Sequence, residues 1–210
     1  FQDGIDKYPL PPQTLKDLKA LIEEVAQMGF DELNLDYIRF ADTGIKASLK
    51  TKYEFLDSLL SEVRGIVTRN NTKLSLDIFG RVVYNEKDLI GQNVENFAKH
   101  ADIIYPMLYP SHFTKDKKRM SDPAFTVTEG TEKAIERLKG TNVEVMPWVQ
   151  VFVYNIQYAR VKLAEYVRLQ IAAIEKTQAR GWVAWNAKGD YKELFEALEK
   201  IEKEKTLVTK

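Results

Sequence analysis

The sequence predicts an α/β protein of the (β/α)8 TIM-barrel type, with this chain supplying about strands four to eight. Three observations carry that expectation. Five strand-like segments alternate with helix-like ones. Connections entering the strands are short, whereas most of those leaving them are long. Polar residues recur at alternate positions of the first two strands, which a barrel mouth accepts and a sheet covered on both faces does not.

Residues 14–28 carry Leu15, Leu18, Leu21, Ile22 and Val25 at the spacing of one helical face, and Gly29 follows as a stop. Residues 32–40 alternate and read as a strand. Residues 53–68 place Leu56, Leu59, Leu60, Val63 and Val67 on one side of a second helix. The cycle then repeats: a strand over 73–79, a short helix over 92–99, a strand over 102–109, and a helix over 128–139 closed by Gly140. A strand over 143–152, a helix over 160–178, a strand over 181–186 and a helix over 191–205 complete the series. The links 41–52, 80–91, 110–127 and 153–159, all after strands, are the long ones. Sites in α/β folds lie at that end, and long structureless loops are uncommon without a use. A working face is expected there.

A full barrel needs eight strands and ~250 residues. Residues 1–12 form a Pro-rich, loop-like stretch leading into a helix, so the first three strands are expected upstream. The start at Phe1 rather than Met fits a processed or trimmed chain. Residues 1–210 are read as one domain, the C-terminal portion of a barrel. A doubly wound dinucleotide-binding sheet is disfavoured, because the turn Phe40-Ala41-Asp42-Thr43-Gly44 holds one glycine and no Gly-rich phosphate loop follows any strand. A barrel enzyme acting on a phosphorylated substrate is disfavoured for the same lack after the last two strands.

Lys+Arg and Asp+Glu both number 31, a balance that gives no support for nucleic-acid binding. Without cysteine, disulfides, thiolate metal sites and cysteine nucleophiles are excluded. No apolar run approaches the ~20 residues of a membrane span. The two histidines, His100 and His112, lie far apart in sequence, which makes zinc improbable. Neither a metal nor an organic cofactor is expected.

Two carboxylates stand out. Asp36 and Asp77 hold matched places near the ends of adjacent strands, and glycoside hydrolysis needs two carboxyl groups at the scissile bond. Crowding them should raise one pKa and leave a proton donor at neutral pH. Capping a turn or pairing with a nearby arginine is the plainer role for either. Arg39 and Arg81 follow them and suit either a sugar hydroxyl or a structural ion pair. Tyr37, Tyr109, Trp148 and Trp185 at strand ends suit stacking on the apolar faces of sugars, and His112, Gln150 and Asn186 suit the polar rim. Tyr105 and Trp182 fit core packing better.

Five blocks in order, Leu35-Asp36-Tyr37-Ile38-Arg39-Phe40, Leu76-Asp77-Ile78-Phe79-Gly80, Tyr105-Pro106-Met107-Leu108-Tyr109-Pro110-Ser111-His112, Met146-Pro147-Trp148-Val149-Gln150 and Trp182-Val183-Ala184-Trp185-Asn186-Ala187, resemble the bacterial "putative glycosyl hydrolase" domain family. The resemblance implies a hydrolase barrel acting on a polysaccharide or cell-surface glycan, secreted or in the cell envelope, with Asp36 and Asp77 as its acidic residues. It also implies Asp after the Pro147-Trp148-Val149-Gln150 block, where this chain has Val151. That departure motivates the alternative of a non-catalytic, carbohydrate-binding barrel.

Overall fold

In the computed structural model, residues 10–208 are described. Most of the proline-rich opening therefore lies outside the described residues. The chain forms two compact units. The first runs to Tyr105 and takes in Arg137–Glu144; the second comprises Pro106–Glu136 and the chain from Val145 on.

The first unit begins with α1 (Pro12–Gln27), which opens on a proline where the helix needs no N–H. β1 (Glu32–Leu35) follows, then α2 (Leu49–Arg69), whose N-cap Ser48 accepts the Thr51 N–H at 3.0 Å. α2 buries Leu56, Leu60, Val63 and Val67, the face that the sequence spacing predicts. β2 (Lys73–Phe79) is buried from Leu74 to Ile78. Ser75 and Asp77 are the polar exceptions within it. After α3 (Val94–Ala98) come β3 (Ile103–Met107) and β4 (Glu144–Val145), giving a sheet in the order β1-β2-β3-β4. β1 and β2 are parallel, with Asn34 paired to Ser75 and Leu35 to Leu76. Asp36 and Asp77 directly follow the Leu35–Leu76 pair in their two segments.

In the second unit, α4 (Lys117–Ser121) and most of α5 (Pro123–Arg137) precede β5 (Trp148–Gln150), α6 (Leu163–Ile174), β6 (Val183–Trp185) and α7 (Lys192–Val208). β5 and β6 pair in parallel, Gln150 opposite Trp185. Gly130 lets α5 approach closely: a Cβ there would meet Leu108 Cδ2 at 2.4 Å.

Three expectations are corrected. The strand expected over 32–40 ends at Leu35, because Tyr37 turns into the left-handed region at φ 58°. The strand expected over 143–152 is two, β4 and β5, broken where Pro147 supplies no N–H to a ladder. The helix expected from residue 160 starts at Leu163, because Arg160 is left-handed at φ 54°. No helix among the described residues is long and apolar enough to cross a membrane.

Candidate functional site

The first unit gathers an acidic cluster at the ends of β1 and β2. Asn34, Asp36, Ser75 and Asp77 share one side of their strands because side chains alternate with period two. Asn34 donates from Nδ2 to Ser75 Oγ and to Asp77 Oδ1, both at 3.1 Å. Asp77 is buried, and its carboxyl lies near enough to that of Asp36 to act on the Asp36 pKa.

Asp36 is open to solvent on one side but enclosed enough that its charge is poorly hydrated. This partial desolvation raises its pKa above the usual aspartate range, against the Tyr37 N–H, the Asp77 carboxyl and the Arg39 charge, which all pull it down. The raised pKa expected from crowding is present, but burial is its cause. The Tyr37 N–H reaches Asp36 Oδ1 at 2.6 Å, and the Tyr37 carbonyl accepts from Arg39 N at 2.9 Å. Both contacts depend on the strained left-handed turn at Tyr37, a conformation that bulky side chains seldom adopt.

Arg39 stacks its guanidinium on the Tyr37 ring at 5.2 Å and on the Phe79 ring at 4.8 Å. Arg81 lies over the Phe79 ring at 5.3 Å. It pairs through Nε with buried Asp88 at 2.8 Å and through Nη2 with Asp42. Its hydrogen bonds thus build the loop wall, the structural alternative considered for it. Nothing in the residue pattern singles out Gln92. It is fully buried, accepts the Phe79 N–H at 2.9 Å, and donates to the carbonyls of Asp77 and Ile38 at 3.0 and 3.3 Å. One amide thus ties the end of β2 to the loop after β1.

The second unit gathers rings. Tyr109 lies 5.5 Å from His112 and 5.4 Å from Phe152, and His112 lies 5.4 Å from Tyr154. Tyr109 is largely buried, whereas His112 and Tyr154 are exposed. Desolvation lowers the His112 pKa and favours the neutral imidazole, whose Nδ1 shares a 3.1 Å hydrogen bond with Ser111 Oγ. Trp148 and Trp185 meet edge to face at 5.9 Å, Trp185 being exposed.

Gln150 was expected at the ligand rim, and this is corrected. Its side chain is fully buried, with both donors and its acceptor engaged inside the protein. Asn186 donates to the Val151 carbonyl at 2.6 Å and accepts the Lys188 N–H at 2.8 Å, so it braces the end of β6. Val151, where an acidic residue was expected from the resemblance, is buried. Among the described residues, no three His, Cys, Asp or Glu side chains are grouped to hold a metal ion.

The sequence profile of a family described as "Putative glycosyl hydrolase domain" matches residues 13–191. Among solved structures, the chain is similar to the PgaB (BpsB) glycoside hydrolase domain from Bordetella bronchiseptica. The TM-score is 0.62 and the identity 15%, over 90% of this chain and 62% of that one. A chitinase from Chromobacterium violaceum gives 0.61 at 11% identity, over 90% of this chain and 71% of the chitinase. The Bacillus megaterium spore cortex-lytic enzyme SleL gives 0.58 at 12% identity, over 89% and 53%. The chain thus spans less than two thirds of the PgaB domain and of SleL. At these identities the likeness is one of fold, a parallel α/β arrangement of the TIM-barrel type. No curated protein sequence matches the chain.

Proposed function

The chain belongs to the "Putative glycosyl hydrolase domain" family, and from that premise we propose that it is a glycoside hydrolase of polysaccharide or cell-surface glycan, with Asp36 as its proton donor. The observation that carries this reading is the Asp36 and Asp77 carboxyls gathered at the ends of β1 and β2, Asn34 holding Asp77 at 3.1 Å and the Tyr37 N–H holding Asp36 at 2.6 Å, with one partner buried and the other open and raised in pKa. In the proposed step, the Asp36 proton passes to the glycosidic oxygen as the bond to the anomeric carbon breaks, and water then bonds to that carbon and returns a proton to the Asp36 carboxylate. Asn34 and the Tyr37 N–H each occupy one carboxyl oxygen and so aim the proton. The step needs neither metal nor organic cofactor. Arg39 and Tyr37 flank the acid and are proposed to meet the sugar there; Trp148 and Trp185 are proposed as sugar-stacking rings of the second unit. A secreted or cell-envelope setting belongs to the same proposal, and the fold likeness to an enzyme named for lysing spore cortex supports it.

One observation favours a second reading. Carboxyl groups that flank a glycosidic bond stand ~5–5.5 Å apart in retaining enzymes and ~6.5–9.5 Å apart in inverting ones. Asp36 and Asp77 stand at the ends of paired strands, which run ~4.8 Å apart, and they act on one another's titration; such a pair is spaced to work as one acid rather than to flank a bond. Val151 adds no third carboxylate. A barrel that binds glycan without cleaving it fits both facts.

A screen for reducing-end release and for saturable binding, over soluble oligosaccharides and intact polysaccharides, separates the readings. Hydrolysis that Asp36→Asn abolishes supports the enzyme. Binding with no release supports the second reading. Release undiminished in Asp36→Asn overturns the assignment of the acid.

A further inference from the structure

The second unit hides a polar network that its strand order does not require. Gln150, Gln170, Ser111 and Tyr166 are all fully buried. The backbone N–H of Gln150 donates to Gln170 Oε1 at 3.0 Å, and Gln170 Nε2 returns bonds to the Gln150 and Tyr166 carbonyls at 3.2 and 3.1 Å. The Tyr166 hydroxyl donates to Gln150 Oε1 at 3.5 Å, and burial keeps that phenol protonated. Buried amides are costly unless every group is satisfied, and apolar residues of similar size would fill the space without that risk. Such a network is therefore informative about what its remaining arms hold.

Those arms reach two loops. Gln150 Oε1 accepts the Ser111 N–H at 3.3 Å, in the turn that carries Tyr109 and His112. Gln150 Nε2 donates to the carbonyls of Phe152 and Tyr154 at 3.1 and 3.2 Å. Asn155, left-handed at φ 52°, adds a bond to the Ser111 carbonyl at 3.4 Å. One buried side chain thus fixes the backbone beneath four rings that meet edge to face or tilted, at 5.4 to 6.0 Å. Two of them, His112 and Tyr154, open to solvent, and Tyr154 is 49% exposed.

We infer that His112 and Tyr154, seated on the rings of Tyr109 and Phe152, form a preorganised stacking platform for a pyranose ring, and that Gln150 is its positioning residue. Rings held in advance lose little conformational freedom on binding, which is where a flexible loop would lose affinity. The tyrosine and imidazole combine an apolar face for the C–H side of a sugar with polar edges for its hydroxyls. The inference rests on the glycan reading for the kind of occupant, but not on the acid pair.

The test titrates the 210-residue chain with chitopentaose, cellopentaose, xylopentaose and maltopentaose, and follows turnover in parallel. Tyr154→Ala should weaken binding of the preferred oligosaccharide by about tenfold with an unchanged melting temperature. Gln150→Met keeps every ring yet should weaken binding comparably and raise KM while leaving kcat in place. Unaltered affinity in Tyr154→Ala overturns the platform. A lowered melting temperature with unaltered affinity in Gln150→Met makes Gln150 an ordinary core residue. Should Gln150→Met fail to fold, Tyr154→Ala and His112→Ala decide the platform, and Asn155→Ala, which frees the same loop from Ser111, decides the positioning. Turnover with a normal KM in Tyr154→Ala removes the platform alone, whereas neither binding nor turnover by the unaltered chain removes the hydrolase reading with it.

Discussion

The two units solve the same problem with the same kind of part and load it differently. In the first, fully buried Gln92 bonds to Phe79 N, Asp77 O and Ile38 O, and the structure it steadies ends in two carboxyl groups. In the second, fully buried Gln150 bonds to Ser111 N, Phe152 O and Tyr154 O, and the structure it steadies ends in rings. A glutamine suits this work because its amide satisfies a carbonyl and an N–H at once, where loop backbone would otherwise be buried without partners. The difference lies in strain. The acidic end forces a tyrosine into the left-handed region, whereas the aromatic end uses Asn155 beside its rings, which tolerates that conformation far better.

The sharpest break in the comparison is chemical. Asp36→Asn should lower turnover by ~10²–10⁴-fold, the span typical of a lost general acid, while the melting temperature stays put because Asp36 is exposed. A thermal shift of several degrees would instead make Asp36 a structural residue. Next come the glutamines. Gln92→Leu strands buried backbone groups and should destabilise by ~1–3 kcal/mol in chemical unfolding, with the kinetic loss falling on kcat. Gln150→Met should place its loss on KM. If both variants change the same constant, the two regions are not doing separate jobs.

A smaller effect tests strain directly. Tyr37→Gly relieves the left-handed turn and should leave the protein as stable or up to ~1 kcal/mol more stable, yet turnover should fall because the Asp36 carboxyl gains freedom. Lower stability in Tyr37→Gly would mean that the ring's stacking on Arg39 outweighs the strain.

The smallest expected effect is a shift in pH. With its pKa raised, Asp36 is a donor below that pKa, and activity should fall as pH rises through it. The same sign holds for stability: its contribution is complete below the ordinary aspartate pKa and is lost as pH climbs through the raised one. Arg39 pulls that pKa down, so Arg39→Gln should move the alkaline limb of the kcat profile to higher pH. A shift in the opposite direction would show that Arg39 acts on another group.

Much of this was readable in the chain before folding. Period-two alternation in Asn34-Leu35-Asp36 and Ser75-Leu76-Asp77 already put the polar residues on one side of each segment, and the register then paired Asn34 with Ser75. Helices that bury one face were legible from leucine and valine spacing, as in α2. Arg81 was legible only as two alternatives, because its partners Asp42 and Asp88 lie on other turns of the loops. Gln92 carried no local signal at all: nothing around it says that three backbone groups from two separate segments will converge on its amide.

The amino-acid sequence by itself determined the order of elements, the alternation that puts Asp36 and Asp77 each on the polar side of its segment, and the family, since these depend on side-chain pattern along a single thread. Tertiary structure alone decided that Asn34 bonds to the Asp77 carboxyl, that Gln150 is buried, and that Tyr37 ends its strand early. Each of those outcomes depends on which distant backbone groups are left wanting a partner once the chain has packed, and a donor or acceptor becomes needy only when folding removes its water.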